Sequence, residues 1–411
     1  MATADPVKPE TAAPAEPGPK QRIASIDILR GLAMIIMSID HCRDIFHYHH
    51  PDPGDLATTT PVLFFTRWIT HFCAPAFVFL SGISAYLAGT RRTHSQFSAF
   101  LIKRGLWLIV VELVFINLAV TLNPKYHVQI LQVIWVIGCS MIILGLLVWR
   151  KSSLLLIGTI GLIIVLGHNI FDPQDLSLKA ISETLWGKVL LSGNGFSDFW
   201  PYPGFTNHGV IIAYALLPWA GLMMLGYVFG SLYVKTYDAA KRRRILLYSG
   251  LAALAVFFVL RFFNLYGDPR PWAVQRTTTL TVISFLKITK YPASLLFTCL
   301  TVGTSLIILA LVENWQNKFT SILVVYGNVP FFFYLCHWYL IRFTGIAVFF
   351  ISGFNLSQAM GRRGVLQPDE FGFGLGGVYL VWICVVLALY FPCRWYGKYK
   401  RTHKQWWLSY L

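Results

Sequence analysis

The chain has 411 residues, of which 56% are hydrophobic and only 13% charged, and its mean hydropathy is +0.59. Soluble domains carry about 25% charge, so the composition excludes a soluble globular protein and indicates helices in lipid. The formal net charge is +16, but the bases flank apolar runs. They therefore read as topology signals facing anionic headgroups, and no nucleic-acid partner is expected.

Residues 1–22 are rich in Pro, Ala, Glu and Lys and lack the apolar core of a signal peptide, which predicts a disordered cytoplasmic tail. Residues 23–400 read as one transmembrane domain, and 401–411 as a cytoplasmic C-terminal tail. Apolar runs predict an all-α, polytopic helical bundle of about ten spans. They fall near 26–47, 67–89, 102–122, 129–149, 153–170, 209–233, 245–265, 290–313, 322–352 and 374–393. With the N-terminus inside, about 20 Lys and Arg fall on the cytoplasmic side and about 11 outside, so both termini are expected in the cytoplasm. The seven cysteines form no C-x-x-C pair and mostly lie in apolar runs. No disulfide framework, metal site or redox cofactor is indicated.

Ionisable groups within spans are costly and mark candidate chemistry. In the first span Asp27, Arg30, Met34, Met37, His41 and Asp44 recur at steps of three and four, which places them on one helical face. Asp27 and Arg30 can pair near the inner end. His41 lies about 16 Å further along, at 1.5 Å per residue. A charge-paired packing seam would give the same pattern. Asp40 or Asp44 could orient the His41 ring, and Asp44, one turn on, is geometrically easier. The second span begins at Arg67-Trp68 and puts His71 at its outer end. From there a stripe of mostly small residues, Pro75, Val78, Gly82, Ala85 and Gly89, suits close helix packing.

The outer connection near 170–208 is the longest, and its aromatic stretch Asn194–Phe205 suits either a sugar acceptor or an interfacial belt. The ninth span contains Tyr326-Gly327-Asn328-Val329-Pro330 and then His337 in its outer half. His41, His71 and His337 thus reach similar depth from distant parts of the sequence, and imidazole suits general-base work near neutral pH. Gly372–Gly377 opens the last span, which makes it a packing element rather than a phosphate loop.

Asp27-Ile28-Leu29-Arg30-Gly31 followed by His41 resembles the first helix of membrane acyltransferases that acetylate surface sugars. His71–Gly82 is similar to their second helix. Leu217-Pro218-Trp219, Gly267–Trp272, Ser284–Leu296 and Tyr326–His337 narrow the resemblance to bacterial relatives of the heparan-alpha-glucosaminide N-acetyltransferase catalytic domain, over about 25–350.

The resemblance implies acetyl transfer from acetyl-CoA, supplied from the cytoplasm, to a hydroxyl or amine of a sugar-like acceptor across a bacterial inner membrane. His41, His71, His337, Asp40 and Asp44 would be catalytic, with Asp27, Arg30 and Asn328 in support. His41 occupies the position of a functional Asn in the heparan enzyme. That enzyme also has a catalytic His in the following outer loop, for which His47, His49 and His50 are the candidates here. Arg91, Arg92, Lys103 and Arg104 could hold the coenzyme phosphates or serve only as positive-inside signals. His337 or Asn328 could stabilise an oxyanion. A polar seam through a bundle would also suit a transporter, and a catalytically silent relative would share these motifs. Small-residue seams leave homo-oligomers open.

Overall fold

The computed structural model describes residues 23–171, 183–192, 199–202, 204, 208–315, 317–358, 368, 370–403, 405 and 408. The expected N-terminal tail, most of the Asn194–Phe205 stretch and most of 401–411 lie outside them. Among the described residues, seven helices are long and apolar enough to cross a bilayer.

The chain folds as a helical bundle. The first helix, α1, runs Ala24–Phe46. A loop leads to α2, Pro61–Thr70, which starts with Pro at its first position and with Thr60 Oγ1 accepting from Leu63 N–H. A turn at His71-Phe72 leads into α3, Cys73–Gly89. Helix α4, His94–Val111, opens with a capping box made by Thr93 and Gln96. It continues through a π-helical turn, Glu112–Ile116, into α5, Asn117–Thr121. Strand β1, Val128–Leu131, precedes α6, Val133–Trp149, and α7, Leu154–Gly167. Strands β2, Phe199–Pro201, and β3, Gly209–Ile212, lead to α8, Leu216–Gly230. Then come α9, Ala239–Phe262, the short α10, Thr278–Leu286, and α11, Leu295–Val312. The last three are α12, Lys318–Gly327, α13, Pro330–Ile351, and α14, Leu375–Thr402.

Two features depart from a bundle of ten plain spans. The run at 322–352 is broken into α12 and α13, because Pro330 cannot donate an amide to a continuing ladder and instead starts a new helix. A small sheet of order β1-β3-β2 also sits on one face, with β1 parallel and β2 antiparallel to β3. Asn117 ties this sheet to the π-turn. Its Nδ2 donates to Glu112 O and Ile130 O, and its Oδ1 accepts from Ile130 N–H at 2.6 Å.

Between helices in lipid, close van der Waals packing is the main source of association, and glycine allows it. Five crossings place glycine against glycine: Gly31 with Gly327, Gly82 with Gly226, Gly105 with Gly138, Gly161 with Gly221, and Gly250 with Gly303. A Cβ at Gly327 would collide with the Asp27 carbonyl, and one at Gly31 with that of Leu323. The Gly82 contact is the close approach expected of the small stripe on α3. The glycine run before α14 behaves otherwise. Gly372, at φ +113°, lets extended backbone lie on the end of α1, where Phe373 N–H donates to Phe46 O and Tyr48 N–H to Phe373 O. The spans through α3, α8 and α11 are mostly buried, whereas those through α7, α9 and α14 turn most of their surface outward. The site lies at one end of the buried α3, against α1, α2 and α13.

Candidate active site

A cavity of about 1130 Å³ opens where α1, α2, α13 and the loops at their shared end meet. Its lining on α1 begins at Met37 and includes Asp40, His41 and Asp44; His71 and Cys73 come from the α2–α3 turn and the start of α3. Of the three histidines that sequence placed at one depth, His41 and His71 both line it. His337 is fully buried behind them.

His41 and His337 are in contact, with His41 Nδ1 and His337 Nε2 2.7 Å apart. The other nitrogen of His337, Nδ1, lies 3.1 Å from Phe333 O. A carbonyl can only accept, so His337 Nδ1 carries a hydrogen and, in the neutral ring, its Nε2 must accept. His41 Nδ1 therefore donates, and the lone pair of His41 is left on Nε2. Trp338 stacks on the His41 ring at 4.0 Å between centroids and fixes its plane. No side chain of the described residues occupies His41 Nε2, and the residue is only partly buried on the cavity wall.

The carboxylates serve other partners. Asp40, next to His41 in sequence, turns about 100° away on the helix. It pairs with Arg67 of α2 and with Arg43 Nη2 at 2.9 Å. Asp44 meets the same Arg43 Nη2 at 2.5 Å and is half exposed. The ring support expected from Asp44 thus comes from His337. Arg67 and Arg43 anchor this chain of charges, and their signal was an Arg inside or bordering a span.

His71 Nδ1 and Trp68 Nε1 are buried in cavity-lining residues without a hydrogen-bond partner among the described residues. Among the loop candidates, His47 is buried and lines the cavity, with its Nδ1 on Tyr48 O at 2.8 Å. His50 lines the rim, while His49 is exposed and does not.

The remaining expected residues stand apart. Arg30 donates to Asp27 Oδ1 at 3.0 Å, to Gly327 O at 3.2 Å and to Ser84 Oγ at 3.0 Å, clamping α1, α3 and α12 at the opposite end. Asn328 caps α12 and does not line the cavity. Arg91, Arg92, Lys103 and Arg104 also lie off it. The length of α3, roughly 24 Å at 1.5 Å per residue, separates Arg91 and Arg92 from the cavity wall.

One wall of the cavity is a loop held by one buried cation and one carboxylate. Arg261 donates to the carbonyls of Phe285, Arg270, Ser284 and Lys287 at 2.7–2.9 Å. Asp268 accepts from Thr289 N–H at 2.7 Å, Thr289 Oγ1–H at 3.0 Å and Ser294 Oγ–H at 2.9 Å. Together they present Lys287, Lys290 and Tyr291 to the cavity. Burial, and after it the neighbouring Arg270, lower the Lys287 ammonium from its ordinary value. Among the described residues, no cluster of three or more His, Cys, Asp or Glu is placed to hold a metal.

Residues 22–262 match the sequence family described as heparan-alpha-glucosaminide N-acetyltransferase, catalytic. The chain belongs to that family. No curated protein matches it. The matched region spans α1 to α9 and holds His41, His71, Asp40 and Arg67. His337 and Lys290 lie beyond the match, so the contact of His337 with His41 and the place of Lys290 on the cavity wall come from the fold.

Proposed function

We propose that this membrane protein transfers an acetyl group from acetyl-CoA to a hydroxyl or amine of a sugar-like acceptor, with His41 as general base. The observation that carries the reading is the His41–His337 hydrogen bond, which leaves a lone pair on His41 Nε2 at the wall of a cavity within a membrane bundle. The family supports acyl chemistry in general. In this reading both termini face the cytoplasm of a bacterial inner membrane and the cavity opens on the far side.

His41 Nε2 takes the proton of the acceptor's O–H or N–H as that atom forms its bond to the thioester carbonyl carbon. The carbonyl oxygen gains charge. Trp68 Nε1–H, and His71 Nδ1 in the tautomer that carries its hydrogen there, both without a partner among the described residues, are the donors assigned to it in this reading. His337 has both ring nitrogens engaged and acts by holding the tautomer. The C–S bond then breaks, and the coenzyme A thiolate takes the proton back from His41. Protonated His41 is supported by its Nδ1–H bond to His337, which becomes charge-assisted at that moment.

The test uses purified full-length protein in detergent with labelled acetyl-CoA and a panel of amino and neutral sugars. Label should appear on an acceptor with the wild type and not with His41→Ala. Transfer undiminished in His41→Ala defeats the reading. Sugar uptake into liposomes without any donor would indicate a transporter instead.

A further inference from the structure

The cavity carries more positive charge than its own carboxylates can neutralise. Arg43, Arg67, Arg270, Lys287, Lys290 and Arg342 line it, against Asp40, Asp44 and Asp52. Asp40 and Asp44 are taken up by Arg43 and Arg67. Among the described residues, Lys287, Lys290, Arg270 and Arg342 form no ion pair within 4 Å.

Lys290 is the sharpest case. It is only 9% exposed. Its Nζ lies 5.1 Å from the Tyr291 ring centroid and 5.9 Å from that of Tyr214, both lining the same cavity. Tyr291 shares a side-chain hydrogen bond with Lys290. The carboxylate that Lys290 acts on, Asp40, is already held by Arg43 and Arg67. Aromatic faces add far less than a carboxylate of its own would, and a buried charge compensated only in part is costly. The fold nevertheless fixes this segment firmly, since Asp268 grips Thr289 and Arg261 grips the Lys287 carbonyl. Burial and then Arg270, a like charge, lower the Lys287 ammonium, and Asp52 and Asp55 offset this only in part. An anion arriving at this wall would relieve both costs.

We infer that Lys290 and Lys287, with Arg270 at the rim, form an anion-binding arm that takes a phosphate, sulfate or carboxylate group of the ligand. The arm stands on the charge and burial of the wall alone. That it also steers the ligand's reacting end toward His41 rests on the transferase reading. Two sources share this chemistry: the phosphates of the acyl donor, and an acidic group on the acceptor.

Calorimetric titration of the full-length protein in neutral detergent separates them with four probes: acetyl-CoA, acetyl-pantetheine, glucose 6-phosphate and glucose. Lys290→Gln and Lys287→Gln should weaken the anionic probe about ten-fold each, while Lys290→Arg, which keeps the charge, should retain most of the affinity. A preference for acetyl-CoA over acetyl-pantetheine that these variants erase assigns the arm to the donor. The same result for glucose 6-phosphate over glucose assigns it to the acceptor. His41→Gln should leave this binding in place, so loss of transfer there with binding intact bears on the base and not on the arm. Equal affinity for charged and neutral probes, no binding of either anionic probe to the wild type, or unchanged affinity in Lys290→Gln and Lys287→Gln overturns the inference.

Discussion

Replacing His337 tests the tautomer argument directly, because this residue has no access to a ligand. Its Nε2 accepts from His41 Nδ1 at 2.7 Å, and its Nδ1 is spent on Phe333 O. His337→Leu removes the acceptor and lets His41 place its proton on either nitrogen. When His41 becomes cationic during transfer, the missing bond is charge-assisted, worth about 1.5–3 kcal/mol. At 1.36 kcal/mol per decade this is a fall of about ten- to 150-fold in kcat/KM. His337→Gln, which offers a carbonyl oxygen, should recover part of it. The loss should fall on kcat, since His337 does not line the cavity. Single-turnover transfer of labelled acetyl measures the rate, and ¹⁵N-histidine spectra report which His41 nitrogen is protonated. A folded His337→Leu protein with wild-type kcat and an unchanged His41 tautomer would refute the argument.

Three further outcomes are expected. Gly327→Ala pushes a methyl against the Asp27 carbonyl and should cost about 1–3 kcal/mol of stability, seen as a lower unfolding midpoint in detergent; an unchanged midpoint would mean that the α1–α12 crossing is looser than described. Arg67→Met leaves Asp40 with Arg43 alone, so about 2 kcal/mol should be lost, less than for a fully orphaned partner. A double-mutant cycle with Asp40→Asn should show coupling, and additivity within about 0.5 kcal/mol would disprove it. Lys287 sheds its proton at lower pH than an ordinary lysine. Affinity for the anionic probe should therefore decline as pH rises into the alkaline range, and Lys287→Arg should move that decline upward; the same pH dependence in both proteins would count against the arm.

Much of the site was legible in α1. The three-and-four spacing placed Asp27 with Arg30 and put Met37, His41 and Asp44 on the cavity side, because helical periodicity depends only on sequence. Depth along the spans also brought His41 and His71 to one end. Partner choice was not legible. Whether Asp40 turns to Arg67, and whether His41 meets a carboxylate or another imidazole, depends on how α2 and α13 are rotated about their axes, which hydropathy does not encode. The break at Pro330 had a signal in Gly327-Asn328-Val329-Pro330, but the flanking apolar runs read as one span. The sheet escaped because β1 and β3 merge into the apolar starts of α6 and α8. The Arg261–Asp268 latch joins residues whose pairing needs the loop's path.

The charges of α1 have a consequence for how the protein enters the membrane. An Asp or Arg at the centre of an isolated helix opposes partition from the translocation channel by about 2.5–3.5 kcal/mol and less toward the ends, and α1 carries five charged side chains, all in its two end thirds. Their summed cost weakens α1 as an insertion signal on its own. Ser84 and Arg67, which satisfy Arg30 and Asp40, arrive within the next two helices. The Gly327 carbonyl that completes the Arg30 clamp emerges only some 300 residues later. Nascent chains halted before α12 should therefore keep α1 exposed to alkaline extraction or cysteine labelling, and become protected once that helix has been synthesised.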